Sequence, residues 1–225
     1  MQSSNRAILE KYFPIASFIA AIIGPKCEVV IHDVNDLEHS IIFIENAHNS
    51  GRQIGDGSTD LVLKLIQDKR YQHTDYLANY QAKGPKGQSY RSSTFFIKDE
   101  HGTLIGLMCL NMDITHLDIA ANWIQDLLTG GGPLLAAPQQ PQPDSKPATE
   151  YLQGNVDDML SHIIESVVNQ SEIPLDRLSP AEKMELVKQL NDQGVFLLKG
   201  GVMQVAKAFN LSEPTIYRYL HKIKE

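Results

Sequence analysis

The residues best suited to chemistry lie near the end of the chain, in LSEPTIYRYLHKIK (211–224). Ser212 can cap a helix whose outer face then carries Thr215, Tyr217, Arg218, His221 and Lys222, with Glu213 at its N-terminal end. Arg218 can donate two hydrogen bonds to a guanine edge or hold a phosphate. Thr215 can bond a base or touch a thymine methyl. Tyr217 and Ser212 can bond phosphate, and Glu213 can accept from cytosine or simply stabilise the helix start. Ile216, Leu220 and Ile223 recur at steps of four and three, so they face inward, and Tyr219 is read as core. Just before them, Val202, Val205, Ala206 and Phe209 mark one side of a short helix. Asn210 and Leu211 form a tight corner, because Asn tolerates the left-handed conformation. Small Ala206 lets the two helices approach, the layout of a helix-turn-helix. A basic helix face is often only solvated charge. Here residues 199–224 also hold Lys199, Lys207, Arg218, Lys222 and Lys224 against Glu213 alone. Corner, cap, small residue and charge together predict a module that meets double-stranded DNA.

Other candidate sites are weaker. His32-Asp33 could serve Ser92 or Ser93 as a nucleophile, but no GxSxG elbow is present and no spacing brings them together. Gly51, Gly55 and Gly57 in GRQIGDGST fit neither GxGxxG after a strand nor GxxxxGK[ST], so a plain turn is expected. Cys27 and Cys109 are far apart in apolar surroundings. There is no CxxC, Cys/His cluster or HExxH, so neither a zinc site nor a disulfide framework is expected. No catalytic residue, metal or cofactor is assigned, and the chain is read as a non-enzyme. Arg91, Ser92 and Ser93 alternate with apolar neighbours, as do Cys109, Asn111 and Asp113. Of these, Arg91, Ser93, Cys109 and Asn111 are the candidates to hold a small-molecule effector on the concave face of a sheet. The plainer alternative is that half of them point to solvent or satisfy backbone groups.

The elements that would position these residues follow from periodicity. A helix is expected over 5–23, with a bend at Pro14. Strands are expected over 27–32, 39–45, 77–82, 89–98 and 103–113, and a helix over 60–66 capped by Ser58 or Thr59. Asp99-Glu100-His101-Gly102 reads as a hairpin turn. A single antiparallel sheet with helices on one face follows, an α+β arrangement. TGGGPLLAAPQQPQPDSKPAT (129–149) carries three successive glycines and five prolines, which suit neither helix nor central strand. The chain therefore divides into a sensor-like domain over 1–128, a linker over 129–154, and an all-α domain over 155–225. Within the last, 155–169 carries a stripe of Val156, Met159, Leu160, Ile163, Ile164, Val167 and Val168. That stripe either packs on the C-terminal domain or pairs with its own copy in a homodimer. Ser179-Pro180-Ala181-Glu182 is a capping box opening another helix.

The 225 residues are 42% hydrophobic and 21% charged, with a net charge of −7. That is a globular composition and argues against coating nucleic acid by bulk positive charge. The longest apolar stretch, residues 15–24, is half of what a bilayer needs. A soluble, reduced, cytoplasmic protein without membrane association is expected.

CEVVIHDVNDLEHSIIFIENAHNSGRQIGDGSTDLVLKLI and YQAKGPKGQSYRSSTFFIKDEHGTLIGLMCLNMDIT resemble the YheO-like PAS domain, over roughly residues 5–118. The resemblance implies a PAS fold that binds a small molecule or another domain. TIYRYL resembles the recognition helix of DNA invertases and resolvases. More broadly, residues 178–224 resemble the helix-turn-helix paired with such PAS domains in the DauR group, which implies a transcriptional regulator, with repression the favoured sign. Gly200-Gly201 departs from good helix composition and leaves the start of the first helix open.

Overall fold

The computed structural model describes residues 2–130, 149–152, 155–171, 175 and 177–224. Most of the expected linker, 131–148 and 153–154, lies outside the described residues. The chain opens with α1 (Gln2–Glu10) and α2 (Phe13–Ile23). The expected single helix over 5–23 is instead interrupted at Lys11 and Tyr12. Pro14 sits in the first turn of α2, where it has no intrahelical N–H bond to lose.

Five strands form an antiparallel sheet: β1 (Cys27–Asp33), β2 (Ile41–Glu45), β3 (Tyr76–Lys83), β4 (Ser89–Lys98) and β5 (Leu104–Asp113). A sixth, β6 (Thr149–Tyr151), adds in parallel to β3, giving the order β2-β1-β5-β4-β3-β6. Helix α3 (Asp60–Gln67) lies between β2 and β3 in sequence, and Thr59 caps it by accepting the Val62 N–H. At the hairpin between β4 and β5 the Asp99 carboxylate accepts the N–H groups of His101 and Thr103, and Gly102 takes φ +79°.

Period-two alternation sorts the strands onto two faces. Val29, Ile31, Ile97, Ile105 and Met108 bury one face against Leu9, Ala16 and Ala20 of α1 and α2. Val30, Ile41, Tyr80, Phe96, Leu107 and Cys109 bury the other against Leu61, Val62 and Leu65 of α3. Helices therefore cover both faces, not one. The outer packing is close at Gly106 of β5. A Cβ there would collide with the Leu9 side chain and stand 2.6 Å from the His32 carbonyl oxygen.

Two apolar helices are placed in opposite ways. Helix α4 (Thr115–Thr129), not among the expected elements, follows β5 directly and has no buried residue. Leu117, Ile119, Trp123, Ile124, Leu127 and Leu128 all stand exposed on it. Helix α5 (Val156–Asn169), the candidate for pairing between copies, turns its stripe inward instead. Met159, Leu160, Ile163, Ile164 and Val167 join a core with α6 (Pro180–Asp192), α7 (Gly201–Ala208) and α8 (Glu213–Lys224). Val156 and Val168, at the two ends of the stripe, are half-buried against the same core. The capping box is present, with Ser179 accepting the Glu182 N–H and Glu182 accepting the Ser179 N–H.

Gly106→Ala is expected to lower stability by about 1–3 kcal/mol, because neither Leu9 nor the β1 backbone can retreat freely. Urea denaturation checks this; an unchanged midpoint would mean that α1 is not held against β5.

Candidate DNA-reading surface and sensor-domain polar network

The corner between α7 and α8 is built from backbone geometry. Asn210 takes φ +52°, and the Leu211 N–H donates to the Ala206 carbonyl at 2.9 Å. The Ser212 carbonyl accepts Thr215 N–H at 2.9 Å and Ile216 N–H at 3.3 Å, which starts α8. Ala206, Phe209, Ile216 and Tyr219 are buried where the helices cross. The Gly200-Gly201 pair, poor as helix composition, has a local cause. Gly200 takes φ +79° before the helix, and a Cβ on Gly201 would collide with the Val195 carbonyl oxygen. Both positions need glycine, and α7 starts at Gly201 rather than after it.

The candidate DNA contacts fall where periodicity puts them. Ser212, Glu213, Tyr217, Arg218, His221 and Lys222 are exposed, and Thr215 is half-buried with its hydroxyl 2.9 Å from that of Ser212. Tyr217 is 58% exposed. Tyr219 is core, as read.

The four effector candidates do not converge. The β4–β5 register pairs Ser92 with Asn111 and Thr94 with Cys109 on the inner face. Arg91 and Ser93 therefore point to the opposite face. Arg91 is exposed, its Nη2 donating to the Met112 sulfur at 3.4 Å. Ser93 accepts the N–H of Asn79 at 3.1 Å and serves the irregularity in β3, where Asn79 takes φ +58°. Cys109 and Asn111 stay on the inner face, with Ser92 replacing Ser93 beside them.

Residues that the sequence reading did not single out complete that face. The Glu28 carboxylate, wholly buried on β1, accepts from Arg52, Ser50 and, at 3.1 Å, Asn111 Nδ2. Ser92 Oγ donates to Asn111 Oδ1 at 2.8 Å. Tyr80, Thr94 and Cys109 form a further run on that face, with the Tyr80 and Thr94 oxygen atoms 2.8 Å apart and the Cys109 sulfur 3.3 Å from Thr94. Tyr90 OH donates to the Asn49 carbonyl, and burial pushes its pKa up to about 12, so it remains a donor. Arg52 comes from the GRQIGDGST loop: the glycines make turns, and the turns deliver a guanidinium into the core. Removing either partner of the Glu28–Arg52 pair would strand a buried charge at a cost of about 3–5 kcal/mol. The one sequence signal was β1 itself, where Glu28 and His32 share a face of an otherwise apolar strand.

His32 is buried, with Nδ1 2.8 Å from Ser40 Oγ and Nε2 without a hydrogen-bond partner among the described residues. It pairs with neither Ser92 nor Ser93, so no nucleophile assembly forms. Burial, then the nearby Arg52 charge, lowers its pKa to about 3, and the ring is neutral. Among the described residues no group of three or more His, Cys, Asp and Glu side chains could hold a metal ion, and no helix is long and apolar enough to cross a membrane.

A five-stranded antiparallel sensor sheet flanked by helices, followed by a helical domain ending in a helix-turn-helix, defines a PAS–helix-turn-helix protein. The profile of the YheO-like PAS domain matches residues 2–129, and that of an HTH domain matches residues 159–221. The chain belongs to the family of proteins with a YheO-like PAS domain. It is 28% identical over 217 residues to the uncharacterized protein YheO of Escherichia coli K12, covering 96% of this chain and 85% of that one. It is 25% identical to an uncharacterized protein of Haemophilus influenzae, covering 98% and 93%. It is 27% identical to the transcriptional regulator DauR of Pseudomonas aeruginosa, covering 100% and 99%.

The buried neutral histidine sets an acid limit. Unfolded, His32 titrates near 6.5; folded, near 3. Protons below pH 6.5 thus bind the unfolded chain preferentially, and the stability this group contributes is lost as pH falls from 6.5 toward 3. Between pH 6.5 and about pH 5 that loss is about 2 kcal/mol. Urea denaturation at about pH 7.5 and pH 5 should show a shallower fall for His32→Gln than for the wild type; parallel falls would exclude His32 as the group.

Proposed function

We propose that the protein is a sequence-specific DNA-binding transcriptional regulator, acting as a repressor, whose PAS domain senses a small molecule. The observation that carries this is the outer face of α8. A cornered, capped, closely crossed helix pair turns Tyr217, Arg218, His221 and Lys222 outward. Those are the donors and the aromatic ring that read base edges and hold phosphates. The DauR relative supports the regulatory reading, and the family resemblance supports the repressive sign.

The effector is assigned to the inner face of the sheet, beside the Glu28–Arg52–Asn111–Ser92 network, where charged and hydrogen-bonding groups are already oriented. A cleft of about 310 Å³ lined by Ser50, Arg52, Asp56, Leu152 and Asn155 adjoins that network. One helix-turn-helix makes few contacts, so a two-fold dimer on a palindromic site is the physical expectation. With α5 consumed, the pairing surface is α4. Fifteen residues of helix with no buried side chain are marginal in water, and Trp123 is 66% exposed. A second copy's α4 would cover that stripe.

Arg218→Ala should weaken binding to a duplex enriched from a random-sequence pool and reduce the salt slope by about 1 if Arg218 holds a phosphate. A reporter behind that site should rise in the same variant. Unchanged affinity and salt dependence would remove the DNA reading. Ile124→Glu lies on an exposed position and leaves the protomer core untouched. Native mass spectrometry should show the wild type as a dimer, with any retained metabolite, and this variant as a monomer. A dimeric variant would place the interface elsewhere.

A further inference from the structure

The DNA-reading domain does not hang from the sensor by its Pro/Gly-rich segment alone. At 100° per residue, Leu61, Val62 and Leu65 share one side of α3 and Leu63 takes the other. The first three are buried in the sensor core and Leu63 in the core of α5–α8. A glycine from each domain permits the approach. A Cβ on Gly57 would collide with the Val156 side chain at the start of α5 and stand 3.2 Å from the Glu38 carbonyl oxygen. Gly194, at φ +77°, would place a Cβ 2.9 Å from the Leu63 Cβ and 3.0 Å from its carbonyl oxygen. Beside this joint the Glu38 carboxylate accepts the Lys199 backbone N–H at 3.0 Å, with Lys199 Nζ 3.8 Å away. Leu37 packs on the C-terminal core while its carbonyl accepts from both the N–H and the hydroxyl of Ser58.

The joint ends beside the cleft that runs along α8. Gln67, last residue of α3, lines a cleft of about 570 Å³ together with Leu197, Met203, Tyr217 and His221. Arg218 and Lys222 are not on its walls. So one flank of the outer face of α8 borders a cleft to which the N-terminal domain contributes Gln67, while Arg218 and Lys222 on the other flank are exposed away from it. A helix reading DNA lies in a major groove about 12 Å wide, between two phosphate backbones, and needs both flanks clear.

We infer that the α3 joint is a brake on DNA binding: the sensor, docked through Gly57, Leu63 and Gly194, denies a duplex the Tyr217–His221 flank of α8, and engagement requires the C-terminal domain to lift from α3. This rests on the DNA-reading role proposed above. The sensor core and the brake share one helix, so an effector that repacks Leu61, Val62 or Leu65 also moves Leu63. Coupling is reciprocal: whatever weakens the joint strengthens DNA binding, and DNA weakens the joint.

Gly57→Ala puts a methyl wedge into the joint, away from the outer face of α8. With the full-length chain and a duplex enriched from a random-sequence pool, the variant should bind at least about fivefold tighter than wild type. Equal or weaker binding by a variant with wild-type circular dichroism overturns the brake. Should the variant misfold, amide exchange of the wild type decides. Adding the enriched duplex should speed exchange in 59–67 and 194–201, and unchanged or slower exchange there overturns the inference. If wild type and variant both enrich no duplex, the DNA-reading role falls and the brake with it; a wild type that binds and a variant no tighter sink the brake alone.

Discussion

Leu61, Val62, Leu63 and Leu65 are all buried, three of them on one side of α3 and Leu63 nearly opposite. No single surface can cover both sides of a helix, so α3 needs two cores, and the two domains supply one each. Most of the architecture follows from that. The sheet must present its inner face to α3, the turn at Gly57 must stay thin enough for α5 to pass, and Gly194 must follow α6 without a side chain. The cap at Thr59 fixes where α3 begins and so which leucine faces which core.

The inner face of the sheet shows a second constraint. A carboxylate buried as fully as Glu28 is tolerable only if its oxygens are saturated, and Arg52, Ser50 and Asn111 accomplish that. Such a cluster is a costly way to stabilise a domain compared with apolar packing. It is a good way to hold polar groups oriented for recognition, since the charges are already desolvated and positioned. His32, neutral and hydrogen-bonded through Nδ1 alone among the described residues, adds a further polar group held in the core.

The two apolar stripes show how far periodicity reaches. The spacing of Met159, Leu160, Ile163, Ile164 and Val167 was plain, and so was the helix it predicted. What periodicity could not say was which surface would meet the stripe, and α6, α7 and α8 met it. In α4 the opposite happened. Leu117, Ile124 and Leu128 recur at helical spacing, yet the segment sits between a strand and a glycine run and drew no assignment. Its apolar face is left exposed within the protomer, whereas that of α5 is covered.

Local chemistry was legible wherever it depended on neighbours in sequence. The cap at Ser179, the corner at Asn210, the hairpin at Gly102 and the inward set Ile216, Tyr219 and Leu220 all follow from backbone preference and helical or strand period, and so does the outward set from Ser212 to Lys222. Strand register decided the rest. A one-residue offset sends a side chain to the other face, and so Ser93 and Arg91 left the inner face while Ser92 and Thr94 entered it. Arg52 reached Glu28 only because the sheet and a glycine-rich loop meet in space, 24 residues apart in the chain. The sequence thus determined most of the elements, their caps and the outward ridge of α8, because those depend on contacts within a few residues. Tertiary structure alone decided the polar network, the surface left for a partner and the α3 joint, because each is a meeting of segments whose separation along the chain carries no signal of their approach.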